Sequence, residues 1–151
     1  MLRRIRTDGD PVLRTCAREV KEVDEYVRRL IDDMLETMRA ASGVGLAANQ
    51  VGLLRRIIVV DVGAGVVAVI NPEITACGEG EKAEEGCLSL PGQRVPVKRA
   101  PRIELRGLDR DGQPLVLSAE GLFARALQHE VDHLNGILIK DYREEWIVRD
   151  E

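Results

Sequence analysis

The sequence predicts an α+β domain over residues 1–151: antiparallel strands around a central C-terminal helix, with a further helix toward the N-terminus packed outside. Three observations predict it. Two segments, one near each end, repeat apolar residues at the helical i, i+3, i+4, i+7 spacing. Between them lie short β-branched runs. Tight turns bearing glycine or aspartate join neighbouring runs, which pairs them antiparallel. A chain of 151 residues is long enough to bury a real core in one domain.

Residues 1–23 are mixed and polar, with Asp10-Pro11 as a turn or helix start. Arg14, Arg18 and Lys21 read as a solvated face, and Cys16 as a small buried or half-buried apolar residue. Residues 24–41 form the first long helix, its stripe Val27, Leu30, Ile31, Met34, Leu35 and Met38. Asp24 is the N-cap, and Gly43 stops the helix. Residues 56–61 and 66–71 are strands of a hairpin turned at Gly63-Ala64-Gly65, and Asn71-Pro72 ends the second. Residues 76–86 read as a polar, acidic loop. Strands follow at 95–97, 102–108 and 114–117, the last two joined at Asp109-Arg110-Asp111-Gly112. Arg102-Ile103-Glu104-Leu105-Arg106 alternates as a half-exposed strand should. Ser118 N-caps the second helix, which stops at Asn135-Gly136. The tail, 137–151, reads as a short strand followed by charged residues, with Trp146 as an edge packing residue.

Composition narrows the classes. Aromatics are 3% of the chain, so Val, Leu, Ile and Ala build the core. A net charge of −4 argues against an electrostatic grip on nucleic acid. The charged start Met1-Leu2-Arg3-Arg4-Ile5-Arg6 has no apolar stretch after it, so it is no secretory signal. The longest apolar stretch, 57–70, is broken by Asp61 and two glycines, too short to span a membrane. Three cysteines at unrelated spacings (Cys16, Cys77, Cys87) fit a reduced, cytoplasmic protein better than a disulfide framework.

The chemistry concentrates in Gln128-His129-Glu130-Val131-Asp132-His133, which holds both histidines of the chain. Helical positions four apart share a face, so His129 and His133 can ligate one metal ion. Glu130 stands beside the first ligand, where its carboxylate reaches a water on that ion. The bland alternative is a helix that carries two histidines and binds nothing. The apolar residues around the motif (Leu122, Phe123, Ala126, Leu127, Val131, Leu134) weaken it, because buried charge needs partners.

Two histidines leave a metal short of ligands. Cys87 is the best third donor, in the Gly-flanked stretch Glu85-Gly86-Cys87-Leu88-Ser89. The competing carboxylates are Asp141, Glu144, Glu145 and Asp150. They crowd into the eighteen residues after His133, too few for the helical domain that supplies such a ligand in thermolysin-like proteases. A third stretch, Gly43-Val44-Gly45-Leu46-Ala47-Ala48-Asn49-Gln50, is small and apolar with one reachable amide. Alone it reads as a tight loop, or as a groove wall whose Gln50 N–H meets an oxyanion. No Lys-Ser or Lys-Thr follows the glycines, so it is a poor phosphate cradle.

In order and spacing, these three stretches resemble the signature motifs of the peptide deformylases, and Asp10-Pro11-Val12-Leu13-Arg14 is similar to that family's opening. The resemblance covers nearly the whole chain. It implies a hydrolase of a linear amide that removes the formyl group from the N-terminal formyl-methionine of newly synthesised polypeptides. By motif position, Cys87, His129 and His133 would hold the metal, with a water in the open fourth position. The metal would lower that water's pKa so that it attacks the formyl carbon as hydroxide. Glu130 would take its proton and return it to the leaving amine. The metal, the Gln50 amide and the Leu88 backbone N–H would meet the oxyanion. The backbone at Val44-Gly45 would pair with the peptide as an added strand. Val44, Leu122, Arg125 and Ala126 would line the methionine pocket, and Glu85 and Gly86 would also contact the substrate.

The resemblance implies ferrous iron, for which zinc, nickel or cobalt could substitute. Many members carry a longer, basic C-terminal helix that docks on the ribosome. This chain's last residues, Arg149-Asp150-Glu151, do not fit that role. Arg125 stands where an apolar residue is common. Two other readings compete: a small zinc peptidase with a third ligand other than Cys87, and a non-catalytic structural metal module closed by a carboxylate or Cys77. Neither gives the Gly43–Gln50 stretch a purpose.

Overall fold

A computed structural model describes residues 1–63 and 65–143. A 3-10 helix, Pro11–Arg14, is followed by helix α1 (Glu25–Ala40) and strand β1 (Gly45–Ala47). A second 3-10 helix, Ala48–Val51, leads to β2 (Ile57–Asp61) and β3 (Val66–Cys77). Then come β4 (Glu81–Cys87), β5 (Leu90–Arg99), β6 (Arg102–Leu108), β7 (Pro114–Glu120) and helix α2 (Gly121–Leu134). Five strands form one antiparallel sheet in the order β1-β2-β3-β6-β7, and β4-β5 is a separate hairpin. The α+β expectation holds.

Alternation within β2 explains how two helices share one sheet. Ile57 and Val59 point into a cluster with Val27, Leu30, Ile31, Met34 and Met38 of α1. Ile58 and Val60 point the other way, into a cluster with Leu127 and Leu134 of α2. All four β2 side chains are fully buried, so each face of the strand is a core. Truncating Ile57 or Ile58 to alanine would cost about 2–5 kcal/mol. β1 continues the pattern beside β2: Leu46 faces α1 and Ala47 faces α2. A third cluster joins Leu90, Val95 and Val97 of the β4–β5 hairpin to Leu13, Leu138 and Ile139. The hairpin is thereby clamped next to α2, with Cys87 at its tip.

Helix ends follow local chemistry. The Asp24 side chain accepts from Val27 N–H, as an N-cap should. At the far end Gly43 N–H donates to Met38 O and Ser42 N–H to Arg39 O, a Schellman closure. The left-handed position there belongs to Ser42 (φ 57°), not to Gly43 as the sequence suggests. A Cβ on Gly43 would meet Leu88 Cδ1 at 2.7 Å, so any side chain there would make Leu88 shift. α2 closes as expected. Gly136 (φ 75°) donates to His133 O and Ile137 N–H to Asp132 O.

Several expectations are corrected. β3 does not stop at Asn71-Pro72 but runs to Cys77 with a register shift between Ile70 and Glu73. Asn71 takes φ 54° there, and its side chain exchanges hydrogen bonds with the Val20 backbone, so the interruption is a pinned bulge. Residues 76–86 are no loop, because Glu81–Cys87 pairs along β5. Their acidity reflects an exposed strand face, not irregular backbone. Ser118 lies within β7, and Glu120 is the N-cap of α2 without a side-chain cap bond. Residues 140–143 are helical, so the tail does not open as a strand. Trp146 and the charged residues 144–151 lie outside the described residues. Cys16 is exposed rather than buried. Arg14 is exposed as expected, but both its terminal nitrogens bond Asp141.

Candidate metal centre

α2 brings its two histidines onto one face, and the β4–β5 hairpin carries Cys87 to them. His133 Nε2 lies 3.3 Å from Cys87 Sγ and 3.2 Å from His129 Nε2, with all three donor atoms within 4.8 Å of one another. Donors about 2.0–2.3 Å from one tetrahedral ion lie roughly 3.3–3.8 Å apart. The spacing therefore fits a shared ion. His133 is 1% exposed and its Nδ1 has no hydrogen-bond partner among the described residues.

The surrounding charge supports the same fit. A Glu85 carboxylate oxygen lies 2.9 Å from His129 Nδ1. A carboxylate can only accept, so Nδ1 carries the hydrogen and Nε2 is left to ligate. Burial pulls the His129 imidazole toward neutrality, but Glu130, Cys87 and Glu85 hold its pKa up at about 10. The ring of acceptors thus favours a cation at this spot, and an ion competes with that proton. His133 is held well below its usual value by burial and by the neighbouring His129.

Glu85 is itself anchored. Burial alone would raise its pKa, but His129 and Arg99 lower it to about 2. Arg99 donates to both Glu85 oxygens, and its Nη1 also donates to Asp132 at 2.5 Å. Tyr142 O–H donates to the same Asp132 oxygen at 2.6 Å. Arg99 was not among the sequence candidates, although a signal existed. Val95, Val97 and Arg99 share the buried phase of β5, which marks a charged residue with interior partners.

Glu130 is 4% exposed, and burial pushes its carboxyl up to about 7. Its Oε1 is buried with no hydrogen-bond partner among the described residues. A Cβ on Gly45 would overlap Glu130 Oε2, so the bare glycine lets β1 pass directly over this carboxylate. Gln50 is 1% exposed; its Oε1 accepts from Ala47 N–H and its Nε2 reaches Ser89 Oγ.

These groups meet in a cleft of about 560 Å³. Val44, Gly45 and Gln50 form one wall, Gly86, Cys87 and Leu88 another. Leu122, Arg125, Ala126, His129 and Glu130 of α2 supply the floor. The cleft also touches Glu85, yet the charged ends of Glu85 and Arg125 are turned into the protein. Arg125 donates to Glu85 Oε2, Val97 O and Glu81 O. What they offer a ligand is stem and shape rather than charge. β1 is an outer strand of its sheet, next to this cleft. No helix among the described residues is long and apolar enough to cross a membrane.

Residues 2–146 match the family model described as polypeptide deformylase. The peptide deformylase of Alkaliphilus metalliredigens is 52% identical over 93% of this chain and 95% of its own. That of Dictyoglomus thermophilum is 53% identical over 93% and 92%. Among solved structures, the peptide deformylase from Thermotoga maritima superposes with a TM-score of 0.91 at 50% identity, covering 93% of this chain and 97% of that one. The enzyme from Synechococcus elongatus, solved in complex with actinonin, gives 0.87 at 44% identity, covering 89% and 75%. Sequence, backbone and a converging cysteine and two histidines all lead to one conclusion: the chain belongs to the polypeptide deformylase family and is a metal-dependent hydrolase that removes the formyl group from N-terminal formyl-methionine.

Proposed function

We propose that this chain deformylates new polypeptides in the cytoplasm with a ferrous ion held by Cys87, His129 and His133, and with Glu130 as the proton carrier. The observation that carries this reading is the Glu130 carboxylate, buried, unpartnered at Oε1 and held near neutrality beside three converging donors. A bound divalent ion would supply Lewis acidity and lower the pKa of a water. Glu130 accepts a proton from the attacking water as the water's oxygen bonds to the formyl carbon. The C–N bond then breaks, and Glu130 returns the proton to the leaving amine, giving formate and a free N-terminus. A carboxyl that titrates near the working pH can do both. The Gln50 amide and the Leu88 backbone N–H would steady the oxyanion.

Substrate geometry follows the walls. The outer edge of the chain at Val44-Gly45, where β1 begins, would offer backbone groups to an extended peptide, the Val44 carbonyl excepted because it already accepts from Asp61 N–H. Gly86, Leu122, Ala126 and the stems of Glu85 and Arg125 would surround the methionine side chain. Iron is what the family resemblance implies, and the donor set also accepts zinc, nickel or cobalt. The net charge of −4 argues against an electrostatic grip on nucleic acid.

Metal analysis after anaerobic purification tests the centre. One iron per chain is expected, lost in Cys87→Ala. Stoichiometric zinc, nickel or cobalt instead would replace the iron assignment while keeping the site. Actinonin, present in the structure of a relative, is a further probe of this chain, and formate release should fall in its presence.

A further inference from the structure

The Gln50 side chain is held at both ends, and one of the holds is a serine the reaction has not used. Gln50 Oε1 accepts from Ala47 N–H at 2.9 Å. A backbone N–H can donate only to the oxygen, so this bond fixes which end of the amide is which. Nε2 therefore faces the turn between β4 and β5. It donates to Ser89 Oγ at 3.1 Å and lies 3.8 Å from Cys87 Sγ. Gln50 and Ser89 are 1% and 0% exposed, so no bulk water can substitute for the hydroxyl.

We propose that Ser89 is a positioning residue for the oxyanion-binding amide: its hydroxyl takes one Nε2 hydrogen and thereby aims the other into the cleft beside Cys87. This rests on the reading of Gln50 given above. The terminal amide torsion is broad and only loosely two-fold, so one bond at Oε1 leaves the plane free to rock. A donor stabilises developing charge only if it is already in place. Ser89 is well suited to hold it. Its backbone oxygen accepts from Asp8 N–H at 2.8 Å, and the next residue, Leu90, is fully buried in the third cluster.

The test is a double-mutant cycle of Ser89→Ala and Gln50→Ala, read as steady-state formate release with bound metal and melting midpoint measured on each protein. Ser89→Ala is expected to lower kcat about tenfold while KM stays within about twofold. Metal content should be unchanged, and Ser89→Ala should cost nothing further in the Gln50→Ala background. A merely structural serine would lower the midpoint and slow both backgrounds alike. Wild-type kcat in Ser89→Ala, or losses that multiply, would overturn the inference. Wild-type kcat in Gln50→Ala would instead sink the oxyanion reading itself. Should Ser89→Ala not fold, Ser89→Cys keeps a similar volume with a weak acceptor. The same kcat loss is expected there, and its absence again overturns the proposal.

Discussion

Glu85 accepts from His129 Nδ1 at 2.9 Å while Arg99 donates to both of its oxygens at 2.9 and 3.0 Å. One carboxylate thus sets the tautomer of a histidine in the candidate metal centre and is itself fixed by a buried cation. Replacing it by alanine should weaken metal binding about 10–100-fold, measured by competition with a chelator. Arg99 keeps Asp132 but loses its main partner, so stability should fall by about 3 kcal/mol in urea unfolding. Unchanged metal affinity would show that His129 is oriented by packing alone.

Gly45 should tolerate no side chain. A Cβ would overlap Glu130 Oε2 and stand 3.0 Å from its Cγ and Cδ. Gly45→Ala should therefore move the carboxylate and lower kcat by about 10²-fold or more. Metal content should hold, because none of the three donors lies on β1. Normal turnover in this variant would mean that Glu130 does not work from its observed position.

The Arg14–Asp141 pair should show in the pH dependence of stability. The two Arg14 donors and then the Leu138 N–H hold Asp141 below its usual carboxylate value of 3.8. A depressed folded-state pKa stabilises the fold above that value, and the contribution disappears as pH falls through the lowered one. Both partners are over a third exposed, so solvent screens the pair. Asp141→Asn should cost about 0.5–1 kcal/mol at pH 7 and progressively less as pH falls below 3.8 through the lowered pKa, read as urea midpoints. A loss that persists at low pH would assign the effect to the Leu138 N–H bond instead.

Much of this site was legible because helical spacing is rigid. The interval from His129 to His133 predicts a shared face, and the space left after His133 points to Cys87. The misreadings share a cause: local chemistry that tertiary pairing overrides. Asn71-Pro72 looks like a strand end but is a bulge tied to Val20. Residues 81–86 look like part of a loop because β4 has only Glu85 buried, and that residue faces Arg99 and His129. Arg125 does line the cleft, but the burial of its charged end could not be read, because its three acceptors, Glu85, Val97 and Glu81, lie 28 to 44 positions away in sequence. Long-range hydrogen bonds of that kind leave no periodic trace.

The central claim is that Glu130 carries the proton. Formate release from formyl-Met-Ala-Ser, compared between wild type and Glu130→Ala purified anaerobically, tests it most directly. Metal should be measured in the same samples. The account predicts a kcat loss of about 10²–10⁴-fold in the variant with metal retained at one equivalent. Wild-type turnover by a metal-loaded Glu130→Ala would contradict it.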